Sequence, residues 1–202
     1  MVSVEFLFDF GSPNAFLAHH VIPKIEQRTG TKFAYVPVLL GGVFKATGNK
    51  APSEAYGSVA NKVAYDRLEI ERFNKRHGIT GFQFNPYFPV NTLLIMRGAV
   101  VAQRDNILMP YLDAIFHHMW VEPKKMDDVE VVRSALAESG LSAAHILEGT
   151  QAGDVKARLI ANTEDAVRRG VFGIPTFFVG PEIYFGKDRL RDVEEAIAAS
   201  AH

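Results

Sequence analysis

Ser12 is the residue with the clearest chemical potential in this chain, lying in Phe8-Asp9-Phe10-Gly11-Ser12-Pro13 directly behind an apolar run. Proline at position 13 steers Ser12 toward extended backbone angles and itself suits the first position of a helix. The serine hydroxyl is therefore expected at a helix N-terminus, where partial positive charge favours an anion. A hydroxyl donor at such a place would stabilise a thiolate. An ordinary thiol, with a pKa of about 8.5, is only a few per cent ionised at neutral pH. The chain contains no cysteine, so any sulfur handled here must be borrowed from a bound molecule. The plainer role of the same serine is a helix cap contributing about 0.5–2 kcal/mol, and the two roles are compatible.

A second feature lies far along the chain, where Gly173-Ile174-Pro175-Thr176 precedes the apolar run Phe177-Phe178-Val179. A cis bond at Pro175 would offer the backbone N–H and C=O of Ile174 to an extended ligand, as in strand addition. A trans proline opening an edge strand is the alternative. Residues 78–91 hold Phe82, Phe84, Tyr87 and Phe88, which would be costly in water unless they cover something. They read either as core material or as an apolar wall against a planar aromatic substrate, with Asn91 fixing its polar end. The histidine pairs at 19–20 and 117–118 suggest metal ligands. Adjacent side chains on a helix point apart, however, and no carboxylate–histidine spacing supports a site, so no metal is expected.

These residues need elements to hold them. Residues 2–10 read as a first strand, interrupted by Glu5 and Asp9, and a helix follows from Ser12-Pro13. Residues 31–38 read as a second strand, ending near Gly41-Gly42. Residues 47–57 are polar and turn-rich, so a loop is expected. From Ser58 to about His77 an amphipathic helix is expected, with Val59, Val63, Leu68, Ile70 and Phe73 inward and Lys62 on the polar face. Helical patterns recur at about 92–104, 106–120, 128–139, 142–149 and 154–169. Residues 177–179 and 183–185 form a hairpin around Gly180-Pro181-Glu182. Asp188 suits the N-cap of a closing helix to about Ser200, and Lys187 beside it is by default a solvated turn residue. The order predicts an α/β fold, a thioredoxin-like domain over 1–44 and 156–202 split by an all-helical insertion over 45–155.

Phe8-Asp9-Phe10-Gly11-Ser12-Pro13, Phe172-Gly173-Ile174-Pro175-Thr176-Phe177 and Phe185-Gly186-Lys187-Asp188-Arg189-Leu190 together resemble the 2-hydroxychromene-2-carboxylate isomerases. That family stands with the kappa-class glutathione transferases and, more distantly, with the disulfide oxidoreductase DsbA. The motifs occur in the family's order, and the resemblance covers essentially the whole chain. It implies glutathione as cofactor, with Ser12 hydrogen-bonding the thiol and Ile174, ahead of cis-Pro175, pairing with the cysteinyl unit. Lys187 and Asp188 would hold the γ-glutamyl end, and Asn49 and Lys62 resemble positions lining the same cavity. Phe88 and Asn91 are substrate-contact candidates from their residue types alone, as the apolar wall and polar anchor named above. Asn14 and the segment 88–92 depart from the common pattern, which leaves the substrate open. A homodimer is a further expectation of the resemblance.

Composition narrows the remaining classes. With 48% hydrophobic and 22% charged residues over 202 positions, an ordinary globular domain is expected. A net charge of -1 with dispersed Lys and Arg gives no reason to expect a nucleic-acid or membrane partner. No apolar stretch approaches the ~20 residues that span a bilayer, and the start does not read as a leader. A cytoplasmic protein is the expectation. Dithiol redox chemistry is excluded by the lack of cysteine. The expected activity is a glutathione-dependent cis–trans isomerisation. A kappa-like transferase and a non-catalytic binding protein are the alternatives.

Overall fold

The computed structural model describes residues 2–200. Its centre is a four-stranded sheet in the order β2-β1-β3-β4. Strand β1 (Val4–Phe8) pairs in parallel with β2 (Phe33–Pro37), from Val4 opposite Phe33 to Phe8 opposite Pro37. It pairs antiparallel with β3 (Thr176–Val179), whose other edge carries β4 (Glu182–Phe185). Parity along β1 assigns its two faces. Phe6 and Phe8 point to the side where Phe8 meets Phe116, 6.3 Å away, and Phe6 crosses Tyr35 edge-on at 4.9 Å. Glu5 points the other way and accepts from Arg169 at 2.7 Å. Both faces are covered, and β3 is accordingly buried along its whole length.

Ten helices surround the sheet among the described residues. The first, α1 (Pro13–Thr29), starts at Ser12 as cap with Pro13 in the first turn and stops at Gly30, in the left-handed region at φ 68°. Between β2 and β3 come α2 (Leu40–Thr47), α3 (Pro52–Tyr56), α4 (Ala60–His77), α5 (Leu93–Arg104), α6 (Leu108–Trp120), α7 (Val129–Glu138), α8 (Ala143–Gly149) and α9 (Gly153–Arg168). The chain closes with a 3₁₀ turn (Lys187–Arg189) and α10 (Leu190–Ala199). This is the expected α/β thioredoxin-like fold carrying a helical insertion.

Four local expectations are corrected. Residues 40–47 are helical despite Gly41-Gly42, and 52–56 form a short helix inside the expected loop. Tertiary contacts override the poor helix propensity of glycine here. The Leu40 N–H is fixed by the Asp9 carboxylate at 2.7 Å, and a Cβ on Gly42 would lie 3.1 Å from the Thr163 methyl of α9. Helix α4 buries only Ile70 and Phe73, leaving Val59 and Leu68 exposed, so its apolar stripe is used only in its C-terminal half. Asp188 does not cap α10. Arg189 occupies that place, and the Asp188 carboxylate accepts instead from Lys187 Nζ at 2.7 Å.

Candidate active site

The structure brings the two chemically suggestive motifs into direct contact. Ser12 is 5% exposed. Its Oγ accepts from the Ala15 N–H at 3.2 Å, the helix-cap bond, and donates to the Ile174 carbonyl at 3.0 Å across 162 residues of sequence. The Ile174–Pro175 bond is cis. The hydroxyl therefore stands at the N-terminus of α1, facing the turn that leads into β3. The Ile174 carbonyl, expected to be open to a ligand, is already taken by this serine.

Beneath the turn lies a buried carboxylate that the sequence reading left without a role. Asp9 is fully buried and accepts from Gly11 N–H at 2.8 Å, Leu40 N–H at 2.7 Å and the Thr92 hydroxyl at 3.1 Å. Burial pushes its pKa up, and the three hydrogen bonds pull against that shift. Asp9 thus ties the Ser12 turn to the first residue of α2 and to Thr92, which precedes α5. A lone acid inside Phe6-Leu7-Phe8-Asp9-Phe10 was the available signal, because a buried charge demands several donors.

Trp120, the last residue of α6, is fully buried and donates from Nε1 to the Phe10 carbonyl at 2.9 Å. The aromatic stretch gathers around this indole. Phe82 stacks on it at 6.0 Å, and Phe88 lies 6.2 Å away while 40% exposed. Phe82 is half-buried against Phe16 and belongs to the core, whereas Phe84, Tyr87 and Phe88 face outward. Asn85 anchors the loop from within, donating to the Met119 and Lys124 carbonyls and accepting from Tyr87 N–H. A second cis bond joins Phe88 to Pro89. Asn91 is exposed, and its Oδ1 accepts from Leu93 N–H at 3.0 Å, which is local turn chemistry at the start of α5.

The other positions divide. Asn49 is brought to the site's border: its amide donates to the Phe172 carbonyl at 2.8 Å, two residues before Ile174. Lys62 is exposed near the start of α4, paired with Asp66 and 5.8 Å from the Tyr56 ring. Lys187 is buried rather than solvated, with Nζ 4.9 Å from the Phe73 ring and bonded to the exposed Asp188 carboxylate. Phe172 and Phe185, both half-exposed, meet at a tilt with ring centroids 4.6 Å apart beside the Ile174 turn. Two cavities of about 470 and 500 Å³ lie elsewhere, one between α2, α5 and α9 and one between Tyr87 and α7.

This arrangement of strand, hydroxyl-capped helix and cis-proline turn agrees with what family comparison finds. The DSBA-like thioredoxin domain matches residues 3–198. The chain belongs to that family. Within it, the chain is 29% identical to a 2-hydroxychromene-2-carboxylate isomerase from Pseudomonas sp. (strain C18), over 99% of this chain and 92% of that one. It is 24% identical to rat glutathione S-transferase kappa 1, over 93% of this chain and 87% of the relative. The solved structure of a 2-hydroxychromene-2-carboxylate isomerase superposes with a TM-score of 0.84 at 27% identity, covering 98% of this chain and 95% of that one. No helix among the described residues is long and apolar enough to cross a membrane.

Proposed function

We propose that this DSBA-like protein is a glutathione-dependent cis–trans isomerase of the 2-hydroxychromene-2-carboxylate type, acting on an aromatic degradation intermediate. The observation that carries this reading is the Ser12 hydroxyl, held at the N-terminus of α1 and aimed at the Ile174 carbonyl ahead of cis-Pro175. A chain with this layout and no cysteine could seat a thiol but has none of its own. Relatives named as isomerases, and relatives named as glutathione transferases, support the choice of reaction and of thiol.

In this reading Ser12 would turn its hydroxyl from Ile174 to the glutathione sulfur, and a hydrogen bond to a charged acceptor would favour the thiolate. Bound glutathione would supply a thiolate able to add reversibly to a conjugated carbon of the ring-opened substrate, giving a single bond free to rotate before elimination returns the thiol and the trans alkene. Ile174 N–H would pair with the tripeptide backbone, and Lys187 with Asp188 would meet the γ-glutamyl end. Asn49, tethered to Phe172, and Lys62 would border the same ligand. Releasing Lys62 from Asp66 costs little, since an exposed pair four residues apart on a helix is worth only about 0.3–0.5 kcal/mol. Phe88 offers an apolar wall and Asn91 a polar group to the second substrate. A cytoplasmic homodimer completes the proposal.

Similarity to kappa transferases favours one second reading, in which the thioether is retained as product. Product analysis with a hydroxychromene carboxylate separates the two. Isomerised substrate with glutathione unconsumed is the expected outcome, and stoichiometric loss of glutathione into a conjugate would assign the transferase. Saturable glutathione binding without turnover would leave a binding protein.

A further inference from the structure

Away from Ser12, the C-terminal end of α6 holds a cluster that adjacent positions on a helix were not expected to form. His117, His118 and Glu122 each place one potential ligand atom within 4.8 Å of the others. His117 Nε2 lies 3.4 Å from Glu122 Oε2. Two ligands on a tetrahedral zinc ion, each at about 2.0–2.1 Å, stand about 3.4 Å apart, so this pair already has the required separation. The convergence arises where the helix ends. Val121 and Glu122 N–H both fold back onto the His117 carbonyl at 2.8 and 3.0 Å, and this turn brings Glu122 beneath His117.

A second observation comes from His118. It is 4% exposed, and its Nδ1 is a buried nitrogen with no hydrogen-bond partner. Its other nitrogen, Nε2, lies 3.3 Å from Ser139 Oγ. The Ser139 hydroxyl donates to the Ala135 carbonyl at 2.9 Å, so toward His118 it can only accept. The ring must then carry its proton on Nε2, which leaves a bare lone pair on Nδ1. A buried, unsatisfied lone pair is costly unless something occupies it. A histidine whose far nitrogen donates to a fixed acceptor while the near one is free is the usual arrangement of a metal ligand with its outer support. The neighbouring cation, Lys124, is neutralised by its ion pair with Glu138.

We propose that His117, His118 and Glu122 form a site for a divalent cation of the zinc class, His118 binding through Nδ1. Two imidazoles and one carboxylate suit zinc better than magnesium or calcium, which prefer oxygen-only shells. The site would brace the end of α6 and the turn after it. That turn carries the Lys124 carbonyl to which Asn85 is anchored, so the ion would stiffen the seat of the aromatic loop 82–91. The inference does not depend on the glutathione reading.

The test is titration of the full chain with zinc chloride against a chromogenic chelator, comparing the wild type with His117→Gln and Glu122→Gln. Both side chains are partly exposed, at 42% and 66%, so neither variant should lose its fold. One equivalent should bind with a dissociation constant of about a micromolar or below. Each substitution should weaken binding by at least roughly tenfold, with circular dichroism unchanged. X-ray absorption of the zinc-loaded protein should show two imidazole nitrogens and a carboxylate oxygen. Zinc should also raise the melting temperature of the wild type but not of the variants. Absence of saturable binding, or affinity undiminished in both variants, overturns the site.

Discussion

Replacing Ser12 by alanine separates its two duties, because each has its own readout. In the free protein Ser12 Oγ donates to the Ile174 carbonyl at 3.0 Å and accepts from Ala15 N–H at 3.2 Å. A bound thiolate would take the proton's direction and leave the capping bond in place. A hydrogen bond to a charged acceptor contributes about 1.5–3 kcal/mol, and the neutral bond given up about 0.5–1.5 kcal/mol. The net preference for thiolate is therefore about 1 kcal/mol, which at roughly 1.4 kcal/mol per unit is a little under one pKa unit. Ser12→Ala should raise the pKa of protein-bound glutathione by about that much. The ultraviolet absorbance of the thiolate, followed from about pH 6 to 9 with glutathione saturating, measures it directly. Loss of the cap should separately lower stability by about 1 kcal/mol, or roughly 2–4 °C in melting temperature for a chain of this size. If the melting temperature falls while the bound thiol titrates unchanged, Ser12 is only a cap, and the mechanism above loses its first step.

Three other substitutions probe what surrounds it. Asp9 has its pKa raised by burial above the ordinary 3.8, so between the two values the native state binds more protons than the unfolded state. Its contribution to stability is then fully present below the unfolded value and is lost as pH rises through the folded one. Relative to Asp9→Asn, the wild type should therefore lose stability as pH rises from about 4, as measured by denaturation at a series of pH values; a pH-independent difference contradicts this. Lys187→Met keeps the buried stem and drops the charge, so stability should move by less than about 1.5 kcal/mol. Glutathione affinity should nevertheless fall roughly tenfold, as expected for losing a charge-assisted contact of about 1.4 kcal/mol, and calorimetry showing an unchanged affinity removes Lys187 from the ligand site. Gly98→Ala would set a Cβ 2.0 Å from the Tyr111 hydroxyl oxygen, which donates to the Ile95 carbonyl at 2.8 Å in the core between α5 and α6. It should cost about 2–4 kcal/mol by overpacking and a broken buried hydrogen bond, and a near-wild-type melting temperature would deny the close approach.

What could be read in the sequence was whatever neighbouring residues decide. Ser12-Pro13 announces a capped helix and Gly180 a hairpin because turn chemistry acts over four or five positions, and both motifs lie where expected. The residues that misled are those whose surroundings come from elsewhere in the chain. Lys187 looks like a solvated turn residue until α4 lays Phe73 over it. Leu68 fits an inward stripe, yet it stays 40% exposed. Gly41-Gly42 reads as a strand end because nothing local reveals that Asp9, over thirty residues earlier, will hold the Leu40 N–H. The same limit explains the hydroxyl's present partner. A serine and a carbonyl 162 residues apart leave no periodicity to detect, and only the register of β3 against β1 sets them 3.0 Å from each other. That register pairs Leu7 with Thr176, one residue beyond Pro175. A slip of one residue would exchange the faces on which Thr176 and Phe177 lie and carry Ile174 away from Ser12. The site's geometry is therefore a property of the sheet, and Glu5 and Arg169, which lock β1 to the end of α9 with the guanidinium 3.7 Å over Phe178, belong to its support as much as Asp9 does.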